Sequence, residues 1–167
     1  MVTAVQLGEH LIDSGRMLAI AESCTGGWLA KVITDVPGSS AWFDRGFITY
    51  SNEAKQDMLG VRQETLKIHG AVSEATVEEM VRGVLSRSRA ALAVSISGIA
   101  GPGGGTEEKP VGTVFMGFGW CGDDTGNPQV SFKRYQFSGE RSEIRAQAVE
   151  AALDGLYACL LEALEGG

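Results

Sequence analysis

Met17-Leu18-Ala19-Ile20-Ala21-Glu22-Ser23-Cys24-Thr25-Gly26-Gly27-Trp28 is the stretch on which the reading of this chain turns. It opens with an apolar run, MLAIA, of the length of a buried strand. Two polar residues, a cysteine, a threonine and a glycine pair break that run. Trp28 to Thr34 then resumes as a helix, which Pro37-Gly38 ends. A buried strand, a tight glycine turn and a helix in succession form the repeating unit of an α/β sheet.

Working outward, residues 2–14 predict a helix with Ala4, Leu7 and Leu11 on one face and Val5 and Ile12 beside them, stopped by Gly15. Arg45 to Ser51 reads as a strand, and 52–59 and 63–68 as two short helices. Ser73 caps a helix carrying Val77, Met80, Val81, Val84 and Leu85 at helical spacing. Ala91 to Ser97 is a second buried strand, followed by a glycine-rich loop over 98–109. Residues 111–120 and 130–137 read as an antiparallel hairpin joined by the turn-rich segment Gly122 to Pro128. A last long helix starts near Glu140 and carries Val149, Leu153, Leu156, Leu160 and Leu164 as its stripe. This order predicts an α/β fold, a three-layer α/β/α sandwich on a mixed sheet, with residues 1–167 as a single domain.

Bulk properties narrow the function. A chain of 167 residues with 44% hydrophobic content can build a core without disulfides. Its formal net charge of −7 argues against nucleic-acid binding, which needs a basic surface. Cys24, Cys121 and Cys159 are odd in number and widely spaced, so they suggest neither a disulfide framework nor a metal site. No apolar run approaches the ~20 residues that span a bilayer. The first residues lack the pattern of a signal peptide, so a cytoplasmic protein is expected.

Four segments could carry chemistry. At Ser23-Cys24-Thr25-Gly26-Gly27, a nucleophile between strand and helix would project from the sheet edge beside helix N–H donors that can hold an oxyanion. A plain cap or a phosphate-binding turn fits the same spacing. Tyr50-Ser51-Asn52-Glu53-Ala54-Lys55 puts Lys55 one helical turn past a strand end, where it could fold back over that end or simply be solvated. Gly98 to Thr106 holds five glycines, enough for an anion nest of backbone N–H groups, but lacks the ending of a nucleotide-triphosphate loop. Arg141 and Arg145, four apart near a helix start, could grip a phosphate or be ordinary surface charge.

Only His10 and His69 are present, and neither is near these segments in sequence. A serine nucleophile would therefore need another base, and lysine is the usual substitute once burial or neighbouring positive charge lowers its pKa. Arg141 or Arg145 could supply that charge. Cys24 is a rival nucleophile, since thiols at helix starts are reactive.

Taken together, Ala21-Glu22-Ser23-Cys24-Thr25-Gly26-Gly27, the run Tyr50 to Lys55, Gly70-Ala71-Val72-Ser73 and Ser97-Gly98-Ile99-Ala100-Gly101-Pro102-Gly103-Gly104 resemble the C-terminal domain family of CinA, in order and over essentially the whole chain. Active members of that family are nicotinamide-nucleotide amidases. The resemblance implies hydrolysis of nicotinamide mononucleotide to nicotinic acid mononucleotide and ammonia, without metal or organic cofactor. It implies Ser23 as nucleophile with Tyr50 and Lys55 as activating partners. Substrate contacts are then expected from Cys24, Thr25, Gly26, Gly27 and Asn52, from Ala100, Gly101 and Thr106 in the glycine loop, and from Arg141 and Arg145. The alternative is a non-catalytic pyridine-nucleotide-binding regulatory domain. A DNA-related adaptor fits the acidic charge poorly. Small enzymes of this type often pair, so a homodimer or higher homo-oligomer is compatible with this reading.

Overall fold

The structure, a computed structural model, describes residues 1–122 and 126–166. The elements run α1 (Ala4–Ser14), β1 (Leu18–Glu22), α2 (Trp28–Thr34), β2 (Phe43–Ile48), α3 (Asn52–Leu59), α4 (Gln63–His69), α5 (Glu74–Ser86), β3 (Leu92–Gly98), β4 (Thr113–Trp120), β5 (Gln129–Gln136) and α6 (Arg141–Gly166). One five-stranded sheet has the order β2-β1-β3-β4-β5. β1 runs parallel to β2 and β3, whereas β4 is antiparallel to both β3 and β5. The expected mixed sheet and hairpin are therefore present, although residues 123–125 of the predicted turn segment lie outside the described residues.

Helices cover both faces because β1 and β3 are buried on both. Alternation along β1 sends Leu18 and Ile20 to one core, shared with α1, α2 and α6. Ala19 and Ala21 go to the other, shared with α3, α4 and α5. Small residues on the second side let α5 approach closely. A Cβ at Gly117 would lie 2.6 Å from the Val77 carbonyl, which already accepts a 2.6 Å hydrogen bond from Ser95 Oγ.

The topology fixes where a site can form. Glu22 pairs with Ile48 on one side and Ile96 on the other, so the carboxyl ends of three parallel strands meet at one sheet edge. The segments after β1, β2 and β3 all leave from that edge, where α/β sheets place their ligands.

Several expected boundaries shift for identifiable reasons. The second strand covers Phe43–Ile48 rather than 45–51, because Leu18 N–H already bonds the Trp42 carbonyl and Ser51 caps α3. Helix α1 starts at Ala4, behind a capping box between Thr3 and Gln6. Val5 and Ile12 face solvent rather than the core, and the α6 stripe ends at Leu160, since Leu164 is exposed.

Replacing Gly117 by Ala should cost about 1–3 kcal/mol of stability, by forcing α5 off the sheet. Urea unfolding measures this, and an unchanged midpoint would show that α5 has room to move.

Candidate active site

Ser23 is the first residue past β1, and the strand's alternation turns it to the α3 and α5 side of the sheet. Its N–H is anchored on the Ile96 carbonyl of β3 at 3.0 Å, which fixes the turn to the sheet. Lys55 reaches the same point from the first turns of α3. Ser51 starts that helix as N-cap, accepting from the Ala54 N–H, so Lys55 folds back over the end of β2.

The lysine is only 1% exposed, unusual for a residue that carries a charge in water. Its Nζ lies 3.0 Å from Ser23 Oγ, 2.7 Å from the Thr49 carbonyl and 3.2 Å from the Tyr50 carbonyl. All three partners are neutral. Burial lowers the Lys55 pKa from 10.5 to about 8, while the Cys24 thiol works weakly in the opposite direction. The fall amounts to a penalty of about 3 kcal/mol on the charged form. A neutral amine has two N–H donors and one lone pair. With both donors on the two carbonyls, the lone pair is left for the serine hydroxyl. A serine so placed can be deprotonated without histidine.

The surrounding cleft, about 230 Å³, is lined by Ser23, Cys24, Tyr50, Lys55, Ala71, Val72, Ser97, Gly98, Ala100 and Arg141. A wider cavity of about 630 Å³ adjoins it, lined by Ala100, Pro102, Val111, Gly139, Glu140, Arg141, Ser142 and Arg145. Ala100 and Arg141 belong to both, so they mark the border between a small reactive chamber and an outer one. Among the described residues no group of three or more His, Cys, Asp or Glu is placed to hold a metal ion.

Such a serine–lysine pair beside a divided cleft can now be set against known proteins. The CinA C-terminal domain model matches residues 2–160. The chain belongs to the CinA C-terminal domain family. The nicotinamide-nucleotide amidohydrolase PncC of Escherichia coli K12 is 55% identical to it over 162 residues, covering 97% of this chain and 95% of that protein. PncC of Pseudomonas putida is 50% identical over 153 residues, 92% of each. A CinA superfamily crystal structure from Klebsiella pneumoniae superposes with a TM-score of 0.88 at 40% identity, covering 95% of this chain and 96% of that one.

Within this CinA domain the expected site residues fall into distinct groups. Ser23, Cys24, Tyr50, Lys55, Ala100 and Arg141 meet at the inner cleft. Tyr50 faces Lys55 with its main-chain carbonyl; its side chain is 62% exposed, and its hydroxyl lies 3.3 Å from Arg141. Arg141 also donates to the Gly101 carbonyl at 2.8 Å, tying the glycine loop to α6. Arg145 is half-buried. It donates to the Cys24 and Thr25 carbonyls at 2.9 and 3.0 Å and stacks over Trp28 at 5.4 Å. It therefore braces the serine turn. Neither arginine accounts for the lowered lysine pKa; burial does.

Gly26 and Gly27 adopt positive φ (59° and 105°) and shape the turn without lining either cavity. Thr25 is fully buried. Asn52 and Thr106 lie exposed outside both linings, and Thr106 bonds Lys109 instead. Burial pushes the Cys24 thiol up to about 11, so it stays protonated at neutral pH and is a poor nucleophile.

Composition and motif reading missed three features. Glu22 is 1% exposed, and its two carboxylate oxygens accept from the Leu29 and Ala30 N–H groups at 2.9 and 3.0 Å. The helix-start donors expected to hold an oxyanion are thereby occupied. Thr49 matters only through its carbonyl, which no side-chain pattern reveals. Lys109 Nζ bonds the Val72 carbonyl at 2.6 Å and so pins the glycine loop to a wall of the cleft.

The lysine must be neutral to accept a proton, so Ser23 reactivity should rise about tenfold per pH unit below about 8 and level off above it. Labelling of Ser23 by an organophosphonate, followed by mass spectrometry, checks this. Cys24→Ala should keep the rise and plateau with a midpoint no higher than in the wild type, and Lys55→Met should flatten the profile.

Proposed function

We propose that this chain hydrolyses the carboxamide of nicotinamide mononucleotide, giving nicotinic acid mononucleotide and ammonia. The observation that carries the reading is the 3.0 Å contact between Ser23 Oγ and a buried, deprotonatable Lys55. The amidohydrolase names of relatives at 50–55% identity over nearly the whole chain support the substrate.

In this reading neutral Lys55 takes the Ser23 proton as Oγ attacks the carboxamide carbon. The cationic pyridinium ring draws electron density from that carbon and favours the attack. Lys55 then passes the proton to the departing nitrogen, ammonia leaves, and an ester links Ser23 to the nicotinoyl group. Water attacks this ester while Lys55 accepts its proton; the proton returns to Ser23 as the acid departs.

The oxyanion needs donors that nothing else uses. Leu29 and Ala30 give theirs to Glu22, Trp28 to the Thr25 carbonyl and Gly26 to the Ser23 carbonyl. Among the described residues, the Cys24, Thr25 and Gly27 amides donate no hydrogen bond to another residue, and we assign the oxyanion to the two that directly follow Ser23, those of Cys24 and Thr25. One such donor is worth about 3 kcal/mol.

The ring carboxamide occupies the inner cleft, and the ribose phosphate extends into the outer cavity past Arg141. Arg141 is the phosphate ligand of choice: it is exposed at the border of both cavities and, among the described residues, engages two of its five N–H donors. Fixing the phosphate holds the reacting carbon at Ser23.

We further read residues 1–167 as one amidohydrolase domain acting in the cytoplasm on a small molecule, with neither nucleic acid nor membrane as partner. Among the described residues no helix is long and apolar enough to cross a membrane.

Ser23→Ala should abolish ammonia release from nicotinamide mononucleotide while preserving the circular-dichroism spectrum and melting point. Lys55→Met should lower kcat by about 10²–10⁴ at little cost in KM. Arg141→Ala should raise KM roughly tenfold for the nucleotide and affect the dephosphorylated nucleoside much less. Near-normal turnover by the serine variant would defeat the scheme.

A further inference from the structure

We infer that Glu22 is a positioning residue for the serine turn, bracing the turn through the start of α2. The inference rests on Ser23 being the nucleophile, as proposed above.

The need for such a brace follows from the local sequence. Helix α2 begins at Trp28 behind Gly27 as N-cap, which has φ 105° and no side chain with which to cap. The first N–H groups of any helix require acceptors, and a buried helix start without them is costly. Nothing between Ser23 and Gly27 supplies one to Leu29 or Ala30. Glu22 does so from the strand side. Alternation along β1 puts its side chain with Leu18 and Ile20, on the face where Leu29 and Ile33 pack, opposite to the face Ser23 takes.

The arrangement is bidentate, with Oε1 on Leu29 and Oε2 on Ala30. A buried carboxylate is tolerated when its oxygens are satisfied and when the positive end of a helix faces it. Both conditions hold here. A glutamine could accept only one of the two bonds and would turn its NH₂ toward the other N–H. The carboxylate is therefore required by the geometry, not merely a polar side chain.

The consequence reaches the reacting atoms. Residues 23–27 span the interval between the carboxylate and the helix it holds, so the bond closes a short ring of chain containing the nucleophile and both proposed oxyanion amides. Arg145 grips the opposite side of that ring through the Cys24 and Thr25 carbonyls. With Glu22 removed, α2 loses its start and those amides lose their fixed direction, while the cavity that binds the rest of the substrate is unaffected. The loss belongs in kcat rather than in KM.

The test compares wild type with Glu22→Gln and Glu22→Ala. Amide hydrogen exchange at Leu29 and Ala30 should accelerate at least tenfold in Glu22→Ala. Its kcat should fall tenfold to a hundredfold with KM changed less than threefold, and Glu22→Gln should recover part of both. Unchanged exchange would remove the cap. Fast exchange with unchanged kcat, or a loss confined to KM, would remove the positioning role. Should Glu22→Ala fail to fold, the same two readouts on Glu22→Gln decide the matter.

Organophosphonate labelling of Ser23 separates this inference from the substrate assignment. A wild-type chain that labels but releases no ammonia refutes the substrate alone, and the labelling rate then replaces kcat. A chain that does neither refutes both.

Discussion

The site depends on an amine buried where it cannot comfortably keep its charge. Lys55 sits among two carbonyl oxygens and a hydroxyl, with its ammonium form disfavoured by burial. Removing one carbonyl would leave an N–H unsatisfied; adding a carboxylate would restore the charge and, on the proposed mechanism, end the base function. Burial therefore biases the amine toward its neutral form, and the backbone carbonyls fix where it points. Residues 49 and 50, which offer those carbonyls, belong to the connection between β2 and α3, and their conformation follows from where β2 ends and where Ser51 begins the helix.

That dependence explains the architecture around the site. Three parallel strands deliver three connections to one edge, and each contributes a different part: the hydroxyl from β1, the amine and its acceptors from β2, the cleft wall and glycine loop from β3. Side chains from α6 then cross the connections, Arg141 to the glycine loop and Tyr50, Arg145 to the serine turn. The antiparallel β4–β5 pair takes no direct part in the inner cleft; it extends the sheet on which α5 and α6 rest.

The sequence made much of this readable, for physical reasons that vary by residue. Buried runs such as 17–21 and 91–97 announce central strands because both faces must be apolar, and the polar break after Ala21 marks the sheet edge. The motif residues Ser23 and Lys55 were identifiable by type and order. Three things were not. Tyr50 draws attention as an aromatic, yet what it presents to the lysine is a backbone carbonyl, which every residue has. Arg141 and Arg145 look equivalent at i and i+4, yet one is half-buried under Trp28 and holds carbonyls while the other lies exposed at a cavity border. Glu22 reads as an ordinary polar residue at a strand end, because its role depends on a helix start six residues further along the chain and on the direction its strand happens to face.

Helices α3 and α5 pack together on the face of the sheet where Ala19 and Ala21 lie. At Gly83 any side chain would overlap the Leu59 carbonyl, so the two helices touch backbone to backbone. Leu59 is one turn along from Lys55 on the same short helix. Bulk introduced at position 83 would push on the end of the helix that carries the amine. A hereditary variant there would silence the enzyme from outside the pocket, and a survey of inactivating changes confined to pocket-lining positions would overlook it.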